Sequence, residues 1–440
     1  VWDDFEQGEI RPVFYLDKDF FTRNAGNILN AGTKVQELTG ATDLSVASAL
    51  IDGNAVRLLG RGEVQNIASR TFNWPNSGFE FSFNGTKAEV YVDNVKYDTA
   101  DYNGNYFNVI VDGGEPERIK LEPGWNVLCT GLEKIEHTVK VVRSSEAYSG
   151  SILMSYIRTN GSKPSATEDK ERFIEFVGDS YTAGFGNNII DTDAPDHSSI
   201  NTDNWNSYTG IVSRYFDADS DVIAYQGKGV YVNCGGDTYV TMSKQYNYAD
   251  IFVNENGFST QIEWDFERKP DVVMVWLGTN DSFGATALGQ DLSEEFEQAY
   301  INLLTNIRSK NPDAKILCCA LPTRYPKQVK NAVEEMGGNE SGFFFYEINK
   351  FDGFGSLGHP DVVEHNAIAG QIINEIESIC PEWKQESVHL SGRISGVLSA
   401  GNILSFENYG VNVADEDIVS YEWYQSSSEA GEYTTYSTEA

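Results

Sequence analysis

The chain has 440 residues, 40% hydrophobic and 12% aromatic, which is more than one ordinary core needs and excludes a disordered chain. Its 66 acidic against 32 basic residues give a net charge of −34 with no compensating basic cluster, which excludes nucleic acid and acidic membrane surfaces as partners. No apolar run is long enough to span a membrane, and the five cysteines lack the CxxC spacing of a zinc site.

Residues 1–54 show no clear pattern and either add edge strands to the β-rich stretch after them or belong to a neighbouring module. From about 55 to 158, the runs "FEFSFNG", "KAEVYVD", "YFNVIVDGG", "HTVKVVRSS" and "GSILMSYIRTNG" alternate apolar and polar residues between Gly, Asn and Asp. Short alternating strands at this spacing predict an antiparallel β-sandwich domain over 1–160. Residues 161–171, "GSKPSATEDKE", are polar with Pro and Ser and read as a linker.

Beyond the linker the pattern changes. "RFIEFVGDS", "DVIAYQGKG", "DVVMVWLGTND", "KILCCALP" and "FFFYEINKF" are near-continuous apolar strands. "SYTGIVSRYF", "DLSEEFEQAYINLLTNIRSKN" and "PDVVEHNAIAGQIINEIESI" have helical spacing, and the second places acids first and bases last, as the helix dipole favours. The alternation predicts a three-layer α/β/α domain with a parallel sheet over 172–385. In the remainder, 386–440, "IVSYEWYQSSSEAGEYTTY" sets a Trp in an alternating run and a Gly-x-Tyr after a polar turn. It resembles part of the immunoglobulin-like modules of bacterial surface and secreted proteins, which implies a secreted or cell-surface location and a longer multimodular parent chain.

Ligands of a parallel α/β sheet bind beyond the carboxyl ends of its strands. Gly178-Asp179-Ser180, Gln226-Gly227-Lys228-Gly229, Gly278-Thr279-Asn280-Asp281 and Gly358-His359-Pro360 stand there. A hydroxyl, a backbone open to close approach, a carboxamide and an imidazole are the parts of acyl transfer: a nucleophile, oxyanion donors and a base. Taken singly, Ser180 reads as a turn cap, Asn280 as an Asx-turn residue, and Asp179 and Asp281 as turn hydrogen-bonders. Four blocks in register favour a site. Among the five histidines, His359 precedes a Pro at a helix entry, whereas His365 lies almost two turns further on and reads as structural. His137 falls in the β domain and His389 in the tail, which leaves His197, in a polar insertion, as the one other candidate. "GFGSLG", residues 353–358, matches the G-x-G-x-x-G of nucleotide-binding oxidoreductases but lacks the following strand with its acidic end, so that reading is rejected.

The four blocks resemble those of the SGNH, or GDS-type, hydrolases. "AVRLLGR", "NWPNSGFEFSFNG", "YFNVIVDGG" and "LEKIEHTVKVVRSSEA" resemble the jelly-roll domain that precedes the SGNH domain in carbohydrate esterase family 2, and "GDSYTAGFGN" and "GKGVYVN" fit the same family. The resemblance covers about 50–385. It implies a serine carboxylic-ester hydrolase of the acetyl xylan esterase kind, removing O-acetyl groups from plant cell-wall xylan or glucomannan, with a preference for a 6-hydroxyl and no metal or other cofactor. It also implies Ser180 as nucleophile, His359 as base, and an oxyanion hole of the Ser180 and Gly227 N–H groups and the Asn280 side chain. Tyr181, Trp205 and Tyr231 are candidate sugar platforms, while Trp276 in its apolar strand reads as core. The rival readings are an SGNH esterase or lipase for another acyl ester, and a non-catalytic carbohydrate-binding protein, against which the intact Ser180, Asn280 and His359 argue.

One position departs from the wider pattern. Many SGNH enzymes carry D-x-x-H, but here the acid's place is Ser356. The family resemblance implies a Ser–His dyad whose imidazole leans on a backbone carbonyl, that of Ser356 or Leu357, with Asp352 as the carboxylate alternative. Gly358 also stands where an aromatic often precedes the family's histidine, which removes one expected sugar contact.

Overall fold

Alternation of apolar and polar residues builds an antiparallel sheet in the first half of the chain, but from longer strands than the runs suggest. The computed structural model describes residues 10–16, 47–66, 69–96, 104–191, 194, 198–250 and 262–384, and the strands Gly392–Ser395, Ser405–Asn408, Ile418–Gln425 and Thr434–Ser437. His197, His389 and most of 386–440 lie outside the described residues.

Gly78–Lys96 is one strand of 19 residues and Gly124–Arg143 one of 20. They pair from Gly78 to Val92 at the centre of a ten-stranded sheet. "FEFSFNG" and "KAEVYVD" are therefore halves of a single strand. Asn84-Gly85 does not reverse the chain; the register slips there instead, and Asn160 Oδ1 accepts the N–H groups of Thr86 and Lys87, each at 2.8 Å. A bulge bends a strand without ending it. Phe79, Phe81 and Phe83, two residues apart and so on one face, join Val90, Val139 and Val141 in the buried core.

The first 54 residues are shared out. Ala47–Leu50 pairs with Ser151–Thr159 at the sheet's margin, whereas Ile10–Leu16 pairs with Ile418–Gln425. The chain divides into two compact units, 1–30 with 370–440 and 31–369. In the smaller, Ile10–Leu16, Ile418–Gln425 and Thr434–Ser437 form a three-stranded antiparallel sheet, and Gly392–Ser395 pairs with Ser405–Asn408. Within the expected linker, Ser165–Ala166 adds a short rung to the large sheet.

The second half of the larger unit is a five-stranded parallel sheet of Arg172–Gly178 (β1), Ala218–Ala224 (β2), Val272–Trp276 (β3), Lys315–Ala320 (β4) and Phe343–Glu347 (β5), in the order β2-β1-β3-β4-β5. Every residue of β2 and β3 is buried, as a sheet covered on both faces requires. The connecting helices include Ser180–Ala183 (α1), Tyr208–Tyr215 (α2), Met242–Gln245 (α3), Thr279–Leu288 (α4), Ser293–Lys310 (α5), Pro326–Glu335 (α6) and Val362–Ile379 (α7). No described helix is long and apolar enough to cross a membrane.

The β domain and the parallel-sheet domain share buried contacts. Trp74, wholly buried, leaves the β domain to join Val177, Ile223 and Val275 in the core of the parallel sheet, and its indole N–H donates to the Ala249 carbonyl at 3.1 Å. Arg61 donates to Glu175 of β1 at 2.7 Å, with the rings of Tyr246 and Phe266 at 4.9 and 4.8 Å from its guanidinium. Arg57 binds both Glu80 and Asp219. We expect Trp74→Ala to cost about 3–5 kcal/mol, through lost burial and the cavity left behind. Urea unfolding followed by fluorescence and by far-UV circular dichroism checks this, and both signals should move together because the core is common to both domains.

Candidate active site

β1 ends at Gly178, where a Cβ would lie 1.9 Å from the Thr182 hydroxyl, so only glycine lets the following turn close this tightly. Asp179 then caps α1, accepting the Tyr181 N–H at 3.1 Å. Ser180 is the first residue of that helix, so its own N–H has no intrahelical acceptor. The strand order places the topological switch between β1 and β3. Ser180 follows β1 and Asn280 follows β3, so the two flank the crevice. Asn280 Nδ2 donates to Asp179 Oδ2 at 3.1 Å and to the Lys228 carbonyl at 3.0 Å.

His359 meets Ser180 across this crevice, with Nε2 2.8 Å from Oγ. Its Nδ1 lies 2.9 Å from the Ser356 carbonyl oxygen. A carbonyl only accepts, so Nδ1 carries the hydrogen and Nε2 presents its lone pair to the serine hydroxyl. The rings of Tyr181 and Phe185 stand 5.1 and 4.7 Å from the imidazole and fix its plane.

The loop that carries the carbonyl is itself tightly held. The Ser356 N–H donates to the Gly186 carbonyl at 3.0 Å, and a Cβ on Gly186 (φ +60) would come within 2.4 Å of Ser356 Cβ. Leu357 is left-handed (φ 53, ψ 33), a turn that also brings the His359 N–H to the Ser356 carbonyl at 3.1 Å. The Glu364 carboxylate gathers the N–H groups of Asp352, Gly353, Phe354 and Asp361 at 2.9, 3.0, 3.0 and 3.0 Å. Asp361 returns the bond by accepting the Glu364 N–H at 2.8 Å, a reciprocal box at the start of α7. The Asp352 side chain is exposed. "GFGSLG" thus belongs to the loop that presents the carbonyl.

Gly227 (φ +74) lies in the loop after β2, and its N–H has no partner among the described residues. Asp281 shapes this loop by accepting the N–H groups of Val230, Tyr231 and Val232 at 2.9, 2.8 and 3.0 Å. Gly229 makes room, since a Cβ there would lie 2.6 Å from Asp281 Oδ2. Glu146, from the β domain, accepts the Gln226 N–H at 3.3 Å. Burial pushes the Glu146 carboxyl up to about 8 and that of Asp179 up to about 7, against the hydrogen bonds that favour their charged forms.

Ser180, Gly227, Asn280 and His359 line one cleft of about 580 Å³, together with Tyr181 and Phe185. Three further lining residues carry no sign in the sequence of their place here: Tyr148, contributed by the β domain, Phe283 on α4 and Arg324 after β4. Trp205 and Tyr231 do not line the cleft. Trp205 carries the Arg214 guanidinium over its ring at 4.1 Å and packs beside Leu59, Ile110 and Val142, while Tyr231 rides on the loop held by Asp281. Trp276 is core. His365 is wholly buried with Nδ1 accepting the Tyr208 N–H at 3.2 Å, and burial pushes it down to about 3. His137 is held by Asp112 and the Glu133 carbonyl in the β domain. Among the described residues, no group of three or more His, Cys, Asp or Glu is placed to hold a metal ion.

Two family descriptions match in chain order: "Carbohydrate esterase 2 N-terminal" over residues 58–167 and "GDSL-like Lipase/Acylhydrolase family" over 176–338. The cellulase/esterase CelE of Acetivibrio thermocellus is 28% identical over 323 residues, which are 69% of this chain but only 37% of that protein. An acetylxylan esterase / glucomannan deacetylase of Cellvibrio japonicus is 25% identical over 343 residues, 74% of this chain and 91% of that protein. The structure of a family two carbohydrate esterase from Clostridium thermocellum in complex with cellohexaose is 25% identical, with a TM-score of 0.64 over 75% of this chain and 100% of that one.

The box at the head of α7 can be broken at one residue. Glu364→Ala strips four backbone N–H groups of their acceptor and should cost about 1–3 kcal/mol in urea unfolding. Amide hydrogen exchange should quicken across 352–361 and stay unchanged in β1 and β3.

Proposed function

We propose that this chain, which belongs to carbohydrate esterase family 2 by its coupled N-terminal and GDSL-like domains, is a serine ester hydrolase that removes O-acetyl groups from a plant cell-wall polysaccharide. The observation that carries the reading is the 2.8 Å contact of Ser180 Oγ with an imidazole whose other nitrogen is tied down at 2.9 Å. Ser180 Oγ attacks the acetyl carbonyl carbon while His359 Nε2 takes its proton. The oxyanion is received by the N–H groups of Ser180 and Gly227 and by Asn280 Nδ2. Asn280 already donates to the Lys228 carbonyl, and the charged oxyanion competes for that hydrogen because charge-assisted bonds are roughly twice as strong as neutral ones. Collapse expels the sugar oxygen, which takes the proton from His359 and leaves an acetyl-serine. A water molecule gives its proton to Nε2, attacks that ester, and acetate departs as Ser180 regains its hydrogen.

Acetylated xylan and acetylated glucomannan are the substrates of this reading, supported by the names of the relatives and by an open cleft with Tyr181 on its wall. A wall polymer lies outside the cell, so a secreted or cell-surface location goes with it. An immunoglobulin-like module over 386–440 is part of the same reading, supported by the pairing of Ile418–Gln425, which carries Trp423, with Thr434–Ser437.

Acetate release from the two polymers tests the proposal. Ser180→Ala should lose about 10⁴-fold or more in kcat and resist labelling by a sulfonyl fluoride. Asn280→Ala should lose about 10²–10³-fold. Asp352→Asn should stay within about threefold of the parent, where a true triad acid would cost about 10⁴. If small acetate esters turn over but neither polymer yields acetate, the polysaccharide half of the reading is wrong.

A further inference from the structure

We propose that the cleft takes an acetylated polysaccharide that also carries a uronic acid, and that Arg324 receives the sugar carboxylate. This rests on the polysaccharide reading and narrows its substrate class. Arg324 stands in the loop after β4, at the carboxyl end of the sheet, and lines the same cleft as Ser180 and His359. Its guanidinium lies over the Phe283 ring at 4.6 Å, and one N–H reaches the Ser282 hydroxyl at 3.3 Å.

Neither contact is to a carboxylate, and no acid pairs with Arg324 among the described residues. That is unusual company for an arginine in a chain with twice as many acids as bases. Arg57, Arg61, Arg158 and Arg268 each meet a carboxylate. Arg118, Arg143, Arg214 and Arg308 direct N–H groups to backbone carbonyls. Arg324 does neither, and most of its five N–H groups remain for a ligand. A half-buried, ring-stacked guanidinium is a planar fork suited to bidentate recognition of a carboxylate.

The position suits a substrate as well. Phe283 lies three residues beyond Asn280 on α4, so the Phe–Arg pair stands about one helical turn from the carboxamide of the crevice. Phe283 is 47% exposed and offers a sugar ring an apolar face on the same wall. The Arg324 charge also reaches the Tyr181 hydroxyl, where it opposes the rise that burial imposes. The net charge of −34 repels an acidic polymer at a distance, but each exposed charge is screened within about 8 Å at physiological salt, so the local cation governs contact.

The test uses one glucuronoxylan, carboxyl-reduced or left intact, with both forms then chemically acetylated to the same degree. Acetate release gives kcat/KM on each for the whole chain, for Arg324→Gln and for Arg324→Lys. The ratio of acidic to reduced polymer should fall about 5- to 20-fold in Arg324→Gln, carried by KM, and recover in part in Arg324→Lys. Free glucuronate should inhibit the parent protein where glucose at the same concentration does not, a reading that holds even if the glutamine variant does not fold. A ratio left unchanged, an equal loss on both polymers, or equal inhibition by glucuronate and glucose overturns the carboxylate site alone. Release of acetate from neither polymer overturns the polysaccharide reading and this proposal with it.

Discussion

The cleft depends on one hydrogen bond, from His359 Nδ1 to the carbonyl of Ser356. A carboxylate in that place could swing about its own side chain to find the imidazole, and its charge would stabilise a protonated ring. A carbonyl offers neither freedom nor charge. It orients the ring only as well as its own peptide is fixed, so the demand moves from one acidic side chain to a whole loop. Gly186 seats the Ser356 peptide, Leu357 takes the left-handed turn that points the carbonyl inward, and Glu364 binds four N–H groups around it. Each of the three acts on the backbone, because the backbone is what must be held.

The opposite side of the cleft depends in the same way on the β domain. Arg143, at the end of the long strand Gly124–Arg143, donates to the carbonyls of Phe72, Ser145, Glu146 and Gly150 and so ties residues 144–150 into a knot. That knot holds Glu146 against the Gln226 N–H and sets Tyr148 on the wall, its ring 5.8 Å from that of Tyr225. With Trp74 sunk into the core of the parallel sheet, the β domain supplies part of the cleft wall and steadies the loop that bears Gly227.

Order along the chain was more legible than juxtaposition. Ser180, Gly227, Asn280 and His359 could be placed from the sequence because each follows an apolar strand, and strand ends of a parallel sheet share one rim. The capping box was equally open to reading, as Asp361-Val-Val-Glu364 ahead of an apolar helix, yet its reach back to Asp352–Phe354 has no local sign. "FEFSFNG" and "KAEVYVD" read as two short strands divided at Asn84-Gly85; a side chain from elsewhere, Asn160, occupies the N–H groups just after that dipeptide and lets the strand run on. Trp205 is a candidate sugar platform as an aromatic near the four blocks, but a guanidinium from its own neighbourhood, Arg214, covers it. Tyr148, Phe283 and Arg324 come from three separate elements, and only the packing of those elements brings them together.

Buried acids hold these loops, and their burial makes the stability of the fold depend on pH. Glu146, ordinarily near 4.5, is raised to about 8, and Asp179, ordinarily near 3.8, to about 7. The folded chain therefore binds these protons more tightly than the unfolded one, so their contribution is full below the ordinary values and is lost as pH rises towards 7 and 8. His365 works the other way. Lowered from 6.5 to about 3, it is held neutral by the fold, and stability is lost as pH falls from 6.5 towards 3. Each group can change stability by up to about 1.4 kcal/mol per pH unit within its window. The His365 slope opposes those of the two acids between about 4 and 6.5 and offsets only one of them, so stability still falls, more gently, as pH rises through that range. Above it Glu146 and Asp179 must ionise, and their backbone N–H partners at Gln226 and Tyr181, which favour the charged form, become more important to keeping those loops in place.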